Sequence, residues 1–158
     1  MNRDEYFFVE QLDEVVRQPD VARAIEGYVA RVQEHLQEHE ELEEASLPVP
    51  VGTFGDQLPA VIASSRIVAY RAGTLARIER HPNSYQRVLC LQGLGEIITF
   101  EDGMRHAHML VGRTGGSLAE KWASVAENVW HQPVACGPEW VVLAFHTATE
   151  QELIDEYK

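Results

Sequence analysis

The first third of the chain has the hydrophobic spacing of amphipathic helices. Apolar residues recur three or four positions apart from Val21 to Leu36, and the positions between them are mostly charged or polar. This spacing predicts a helix that begins at Asp20, which follows Pro19 and belongs to a residue type favoured at N-caps. A shorter helix is predicted over Asp4–Arg17, with its apolar side chains on one stripe. We expect both helices to pack their apolar faces on the rest of the protein.

The hydrophobic period shortens to that of β-strands after a connector that contains proline and glycine, Leu47–Pro59. The segments beyond it are rich in β-branched and aromatic side chains, which is typical of strands. They are short, and Gly, Asn, Asp or Pro residues separate them, as in an all-β barrel or sandwich. The predicted strands are RIVAYR, LARIER, RVLCLQ, EIITF, MRHAHMLV and WVVLAFHT.

Two local signals refine this picture. Asp102-Gly103 stands between EIITF and MRHAHMLV and predicts a tight hairpin, because this dipeptide suits a turn that requires positive φ. Thr149 and Glu152 have the spacing of a capping box and predict a short C-terminal helix. The sequence therefore predicts a helical extension at residues 1–46 and a β domain with a terminal helix at residues 60–158.

Length and charge limit the classes of function. The chain has 158 residues, which suits one domain, and a net charge of −12. Residues 1–45 carry 13 acidic and 4 basic side chains, so most of the excess charge belongs to the helical extension. An acidic protein is a poor partner for a phosphate backbone, and we therefore expect no nucleic-acid ligand.

The sequence also indicates a cytoplasmic protein without a membrane partner. Its apolar runs are far too short to cross a bilayer, and the opening MNRDEYFFVE carries charge where an export signal has its apolar core. Cys90 and Cys136 both lie in apolar surroundings, which is typical of reduced thiols that are buried as small hydrophobic groups.

Candidate chemistry lies in two short segments. Glu79 and His81 are two positions apart, so in a strand both side chains project from one face. Gln86 opens the next predicted strand and can face back toward them, and His131 comes from a later segment. A carboxylate, an amide oxygen and two imidazoles suit a divalent first-row metal, and Zn, Mn, Fe and Ni all remain open.

The spacing of these residues resembles the first motif of the cupin superfamily, G-x5-H-x-H-x3–4-E-x6-G. Glu79 stands at the first His position, His81 at the second and Gln86 at the Glu position, with both glycines in register. His131 stands where cupins place their last metal ligand. The resemblance implies a single double-stranded β-helix, or jelly-roll, barrel, which would carry the helical layer on its outside.

Within that superfamily the chain most resembles ureidoglycolate lyase. That family has an E-R-H-P-x3-Q element, matched here by Glu79–Pro82 with Gln86, and an N-V-W-H-H-P element, matched by Asn128–Pro133. Gln132 replaces the second histidine of that element, and an acidic helical layer stands where we expect the strand-rich opening of the family. The resemblance implies a cleavage of ureidoglycolate, or a related small hydroxy acid, to glyoxylate and urea in purine metabolism.

The resemblance also implies roles for individual residues. The metal ligands would be Glu79, His81, Gln86 and His131, of which Glu79, His81 and His131 would also be catalytic. Glu79 has the alternative role of general base if it does not bind the metal. The substrate carboxylate needs a cation, for which Arg80 and Arg87 are candidates. The other expected substrate-binding residues are Trp130 and His146, and a homodimer is expected because cupins often pair.

Other interpretations remain open from the sequence. A cupin dioxygenase or isomerase with Fe or Ni would use another small substrate, and a non-catalytic cupin would only bind a small acid. In a further interpretation His81 and His131 are structural residues of the core. His106 and His108 form a second pair on one strand face, but they follow the hairpin directly and spacing places no third ligand beside them.

Overall fold

The computed structural model describes residues 1–112 and 116–158. Helix α1 (Arg3–Val16) starts at Asn2, whose side chain accepts a hydrogen bond from the backbone N–H of Glu5 at 2.9 Å. Helix α2 (Pro19–Glu38) has proline at its first position, where a backbone N–H would have no intrahelical acceptor, so the helix loses no hydrogen bond there. Both predicted helices are confirmed. Asp20 lies in the first turn of α2 and is not the N-cap, which is Gln18.

Besides α1 and α2, the described residues contain ten strands, one short helix and one 3₁₀ turn. The helix is α3 (Leu118–Lys121), and the 3₁₀ turn is Val51–Phe54. The strands are β1 (Glu44–Pro48), β2 (Ser64–Tyr70), β3 (Glu79–Arg80), β4 (Gln86–Gln92), β5 (Leu94–Glu101), β6 (Met104–Val111), β7 (Trp122–Val125), β8 (Trp130–Ala135), β9 (Trp140–His146) and β10 (Glu156–Tyr157).

The strands form two antiparallel five-stranded sheets. The first sheet has the order β1-β2-β9-β4-β7, and the second has the order β10-β3-β8-β5-β6. Consecutive strands often belong to different sheets, so the chain crosses repeatedly between them. The expected mainly-β fold is confirmed as two antiparallel sheets with helices.

One hydrophobic core lies between the two sheets and a second lies under the helices. Strand β9 serves both, because its side chains alternate between the faces. Val142 and Ala144 pack with Ile97 of the opposite sheet. Leu143 and Phe145 pack on the other face with the apolar stripes of α1 and α2. The helices therefore cover the outer face of the first sheet, and the inner face is left for the site.

Several predicted elements differ from the structure. Of the predicted strand LARIER only Glu79–Arg80 is a strand, while Leu75 makes an isolated bridge to Val134. Strands β1, β7 and β8 were not predicted. Strand β1 pairs with β2 along its whole length and spans the predicted boundary at residue 46, and the division into an extension and a β domain stays a prediction.

The predicted C-terminal helix is wrong. The hydroxyl group of Thr149 donates to the Glu152 carboxylate at 2.8 Å, but the chain makes only a turn there. Strand β10 follows and pairs with β3, so Glu156 lies opposite Arg80. The pairing with a distant strand prevents the segment from continuing as a helix.

The hairpin prediction is confirmed. Asp102 and Gly103 have φ values of 50° and 74° between β5 and β6.

No helix among the described residues combines the length and the apolar composition needed to cross a membrane.

Candidate metal centre

The centre of the site is the pairing of β3 with β8. Glu79 lies directly opposite His131 in this antiparallel pair, so their side chains leave the sheet on the same face. The Oε1 atom of Glu79 lies 3.5 Å from Nε2 of His131 and 3.9 Å from Nε2 of His81. Each of the three side chains offers one possible ligand atom, and these three atoms all lie within 4.8 Å of one another. The structure thus brings together three residues that the sequence had placed in two distant segments.

Neighbouring groups orient both imidazoles. The Nδ1 atom of His131 lies 3.1 Å from the carbonyl oxygen of Val129, which can only accept, so Nδ1 is placed to donate and Nε2 faces the Glu79 carboxylate. The Nδ1 atom of His81 lies 2.9 Å from Oδ1 of Asp155. The contact with His81 lowers the pKa of Asp155, against the opposing effect of burial.

Gln86 and His146 extend the cluster from the first sheet. They are opposite each other on β4 and β9, and the ring of His146 lies 5.0 Å from that of His81. The Nε2 atom of His146 and the Oε1 atom of Gln86 are buried, and neither has a hydrogen-bond partner among residues 1–112 and 116–158. Burial lowers the pKa of His146 to about 3, with smaller contributions from the charges of His81 and Arg66. The imidazole of His146 is therefore neutral at neutral pH.

These groups border a cavity of about 100 Å³ between the sheets. Its inner wall is polar at Glu79, His81, Gln86 and His146 and apolar at Val88, Ile97, Val142 and Ala144. The mouth is formed by the inward side chains of β1, β2 and β10, among them Glu44, Arg66 and Tyr157. His131 is fully buried, with its ring 5.1 Å from that of His81.

The donor set fits a divalent metal ion. Two imidazole nitrogens and a carboxylate oxygen are ligands common to Zn and the neighbouring first-row metals. The Nε2 atoms of His81 and His131 are buried, and no described residue forms a hydrogen bond with either of them. Buried polar groups are normally satisfied, so these two ring nitrogens beside one carboxylate could hold a metal ion.

Arg87 does not line the cavity, and its expected role in substrate binding stays a prediction. It follows Gln86 in β4 and therefore points to the other face of the sheet. There its Nε and Nη2 atoms each lie 2.9 Å from an oxygen of Glu5 in α1. Its guanidinium also lies 4.1 Å from the ring centroids of both Phe8 and Tyr85. The side chain fixes the helix to the sheet.

Arg80 and Trp130 also lie away from the cavity. The Nε atom of Arg80 donates to Glu156 at 2.6 Å, and its guanidinium lies 4.6 Å from the centroid of the Trp130 ring. Both residues alternate with the inward-facing Glu79 and His131, so they point to the outer face of the second sheet. Their expected role in substrate binding likewise stays a prediction.

His106 and His108 remain outside the site as well. Both are exposed on β6, and Nε2 of His108 lies 2.6 Å from the carbonyl oxygen of Ala119.

The structure adds two residues to the site that the sequence analysis did not single out. Asp155 falls in the segment that was predicted to be helical, and Arg66 gave no signal because a single arginine in an apolar strand does not reveal which face it occupies.

Comparisons by sequence alone return nothing: no family model and no curated protein matches the chain. Solved structures do match the fold. Oxalate oxidase in complex with the substrate analogue glycolate aligns over 71% of this chain and 54% of its own, with a TM-score of 0.55 and 9% identity. Pro-11S globulin of pumpkin aligns over 73% of this chain and 28% of its own, with a TM-score of 0.56 and 12% identity.

A third match is oxalate decarboxylase from Lactobacillus farciminis in complex with formate. It aligns over 73% of this chain and 31% of its own, with a TM-score of 0.54 and 14% identity. These proteins are cupins. The chain has the cupin fold. It spans about half the length of oxalate oxidase. The cupin fold is shared here by two enzymes and a seed globulin, so the function has to be argued from the site.

Proposed function

We propose that this protein is a metal-dependent lyase that cleaves the C–N bond of ureidoglycolate, or of a closely related hydroxy acid, to give glyoxylate and urea. The observation that carries the proposal is the position of Glu79 opposite His131, with His81 beside them. Glu79 and His81 belong to the E-R-H-P-x3-Q element and His131 to the N-V-W-H element. The two segments that resemble ureidoglycolate lyase thus contribute to one cluster.

The residues that would hold the metal are Glu79, His81 and His131, with the side-chain oxygen of Gln86 as a further ligand. A bound divalent cation would act as a Lewis acid that coordinates substrate oxygens and makes the hydroxyl group more acidic. The Val129 carbonyl and the Asp155 carboxylate would support the two imidazoles from behind, as outer partners of ligating histidines commonly do.

The reaction moves one proton within the substrate. The hydroxyl group loses its proton, the carbonyl of glyoxylate forms as the C–N bond breaks, and the departing nitrogen of urea gains a proton. His146 presents a buried Nε2 at the wall of the cavity, with no hydrogen bond to any residue that the structure describes. We assign it the transfer of the proton from oxygen to nitrogen. If Glu79 does not bind the metal, its carboxylate takes the role of base.

The size and lining of the cavity agree with a small substrate. A volume of about 100 Å³ admits a molecule of a few carbon atoms. The apolar side chains of Val88, Ile97 and Val142 close the inner end, where they limit the number of water molecules that compete for the reacting groups.

The test is an assay of the purified protein with ureidoglycolate and a divalent metal, in which a coupled dehydrogenase measures glyoxylate. The wild-type protein should release glyoxylate, and His81→Ala should reduce the rate to that of the reaction without protein. His106→Ala removes an exposed imidazole from β6 and is the matched control, with the wild-type rate expected. Equal rates for His81→Ala and the wild type would refute the proposal.

A second candidate is an iron-dependent oxygenase. Two histidines and one carboxylate with open positions are the ligand set of many non-haem Fe(II) oxygenases, and the Glu79–His81–His131 cluster has this composition. Oxygen separates the two candidates, because C–N cleavage needs none. Glyoxylate release at the same rate under anaerobic conditions supports the lyase, whereas a product that forms only with oxygen uptake supports the oxygenase.

A further inference from the structure

Arg66 is the cationic side chain at the cavity. Among the described residues that line it, no other carries a permanent positive charge. Arg66 lies on β2 opposite Ala144 of β9, and Ser64 of the same strand lies opposite His146. Residues two apart on a strand share a face, so Arg66 points to the same interior as His146. The side chain is one-quarter exposed, which places it at the mouth.

Most of the guanidinium group is free to bind a ligand. Its one hydrogen bond to a described residue runs from Nη2 to the Glu150 carboxylate at 3.3 Å, a long contact with a partly exposed partner. Arg80 and Arg87, by contrast, are held at 2.6 Å and 2.9 Å by acidic partners on the outer faces. The planar guanidinium group of Arg66 therefore has N–H groups available to donate paired hydrogen bonds to a carboxylate.

The charges around the cavity show why an anionic substrate needs this residue. Glu44 and Glu79 line the cavity, Asp155 contacts His81, and the whole chain has a net charge of −12. Desolvation raises the pKa of Glu44, and the charges of Glu79 and Glu43 raise it further. A substrate carboxylate at this mouth would be repelled by the same groups unless a cation compensated for it.

We propose that Arg66 binds the carboxylate of the substrate through paired N–H···O hydrogen bonds and so positions the acid with its hydroxyl group toward the histidines. The proposal rests on the proposed function for the choice of a small hydroxy acid as substrate. It assigns to Arg66 the role that the sequence had given to Arg80 or Arg87.

The experiment compares two probes of nearly the same shape by isothermal titration calorimetry on the metal-loaded protein. Glycolate carries a carboxylate, and glycolamide carries a neutral amide in its place. The wild type should prefer glycolate, and Arg66→Gln should lower this preference about tenfold to one-hundredfold, as expected for the loss of a charge-assisted pair. Any contribution of the metal to the preference is present in both proteins and cancels in this comparison.

Two further variants separate a binding role from a structural one. Arg66→Lys keeps the charge but loses the planar guanidinium group, and it should retain part of the preference for glycolate. Glu150→Gln removes the exposed partner of Arg66 and should retain all of it. Circular dichroism spectra and melting temperatures close to those of the wild type establish that the variants fold.

An unchanged preference in Arg66→Gln, or a wild type that binds glycolate no better than glycolamide, would overturn the assignment. The outcome is independent of the lyase assay. A protein that prefers glycolate through Arg66 but releases no glyoxylate refutes the proposed reaction alone. A protein that releases glyoxylate without this preference refutes the role of Arg66 alone.

Discussion

Removal of the Glu5 carboxylate tests how strongly α1 is held to the first sheet. Glu5 and Arg87 form a two-pronged ion pair, with both N–O distances at 2.9 Å, and their side chains are only 11% and 8% exposed. Ser124 donates a further hydrogen bond to the same carboxylate at 2.6 Å. The Nη1 atom of Arg87 is already buried and has no hydrogen-bond partner in the described part of the chain, so the guanidinium group has few other groups to pair with if Glu5 is removed.

Glu5→Ala should lower the free energy of unfolding by about 3–5 kcal/mol. This is the usual cost when one partner of a buried ion pair is removed and the other charge stays buried. Arg23→Ala is the control, because the Arg23–Asp20 pair is 77% and 95% exposed. An exposed pair of this kind contributes less than about 1 kcal/mol.

Urea unfolding followed by circular dichroism measures both changes, with the slope m checked for each variant. The double variant Glu5→Leu/Arg87→Met should regain much of the lost stability, since it leaves no buried charge. A loss below about 1 kcal/mol in Glu5→Ala, with an unchanged slope, would show that the buried pair does not hold the helix and would refute the reasoning.

Two further predictions concern the metal centre and the thiols. Asp155→Asn should weaken metal binding about 10–100-fold, because the carboxylate contacts His81, which we propose as a metal ligand. The exposed Asp102→Asn should leave the affinity unchanged, and competition with a chromophoric chelator measures both variants. Unaltered affinity in Asp155→Asn would contradict this role. Burial raises the pKa of Cys90 to about 11, whereas Cys136 is exposed, so iodoacetamide at neutral pH should label Cys136 first and Cys90 only on unfolding. Mass spectrometry of the labelled peptides decides this, and early labelling of Cys90 would be inconsistent with its burial.

The parts of the fold that the sequence predicts well are those that local pattern determines. The helical period defines α1 and α2, and the Asp102-Gly103 turn fixes the hairpin of β5 and β6. Short strands escaped prediction because they depend on partners far away in the chain. Strand β8 contains Pro133, which argues against a strand when it is considered alone.

The candidate site shows the same division. The spacing of Glu79 and His81 already places them on one face, and the resemblance adds His131. Arg80 and Arg87 lie outside the cavity because each arginine follows or precedes an inward-facing residue by one position, which turns its side chain to the opposite face. Arg66 and Asp155 depend on the register of β2 and β10, which no local pattern reveals.

The short strand β10 links residues 155–158 to the candidate metal centre. It pairs with β3, and the amide of Lys158 donates to the carbonyl of Ile78 at 3.0 Å, next to the strand that carries Glu79. By linkage, an ion that fixes Glu79 and His81 also stabilises this pairing against local opening. Hydrogen–deuterium exchange at that amide should therefore slow when the centre is loaded, so the backbone can report occupancy without any substrate.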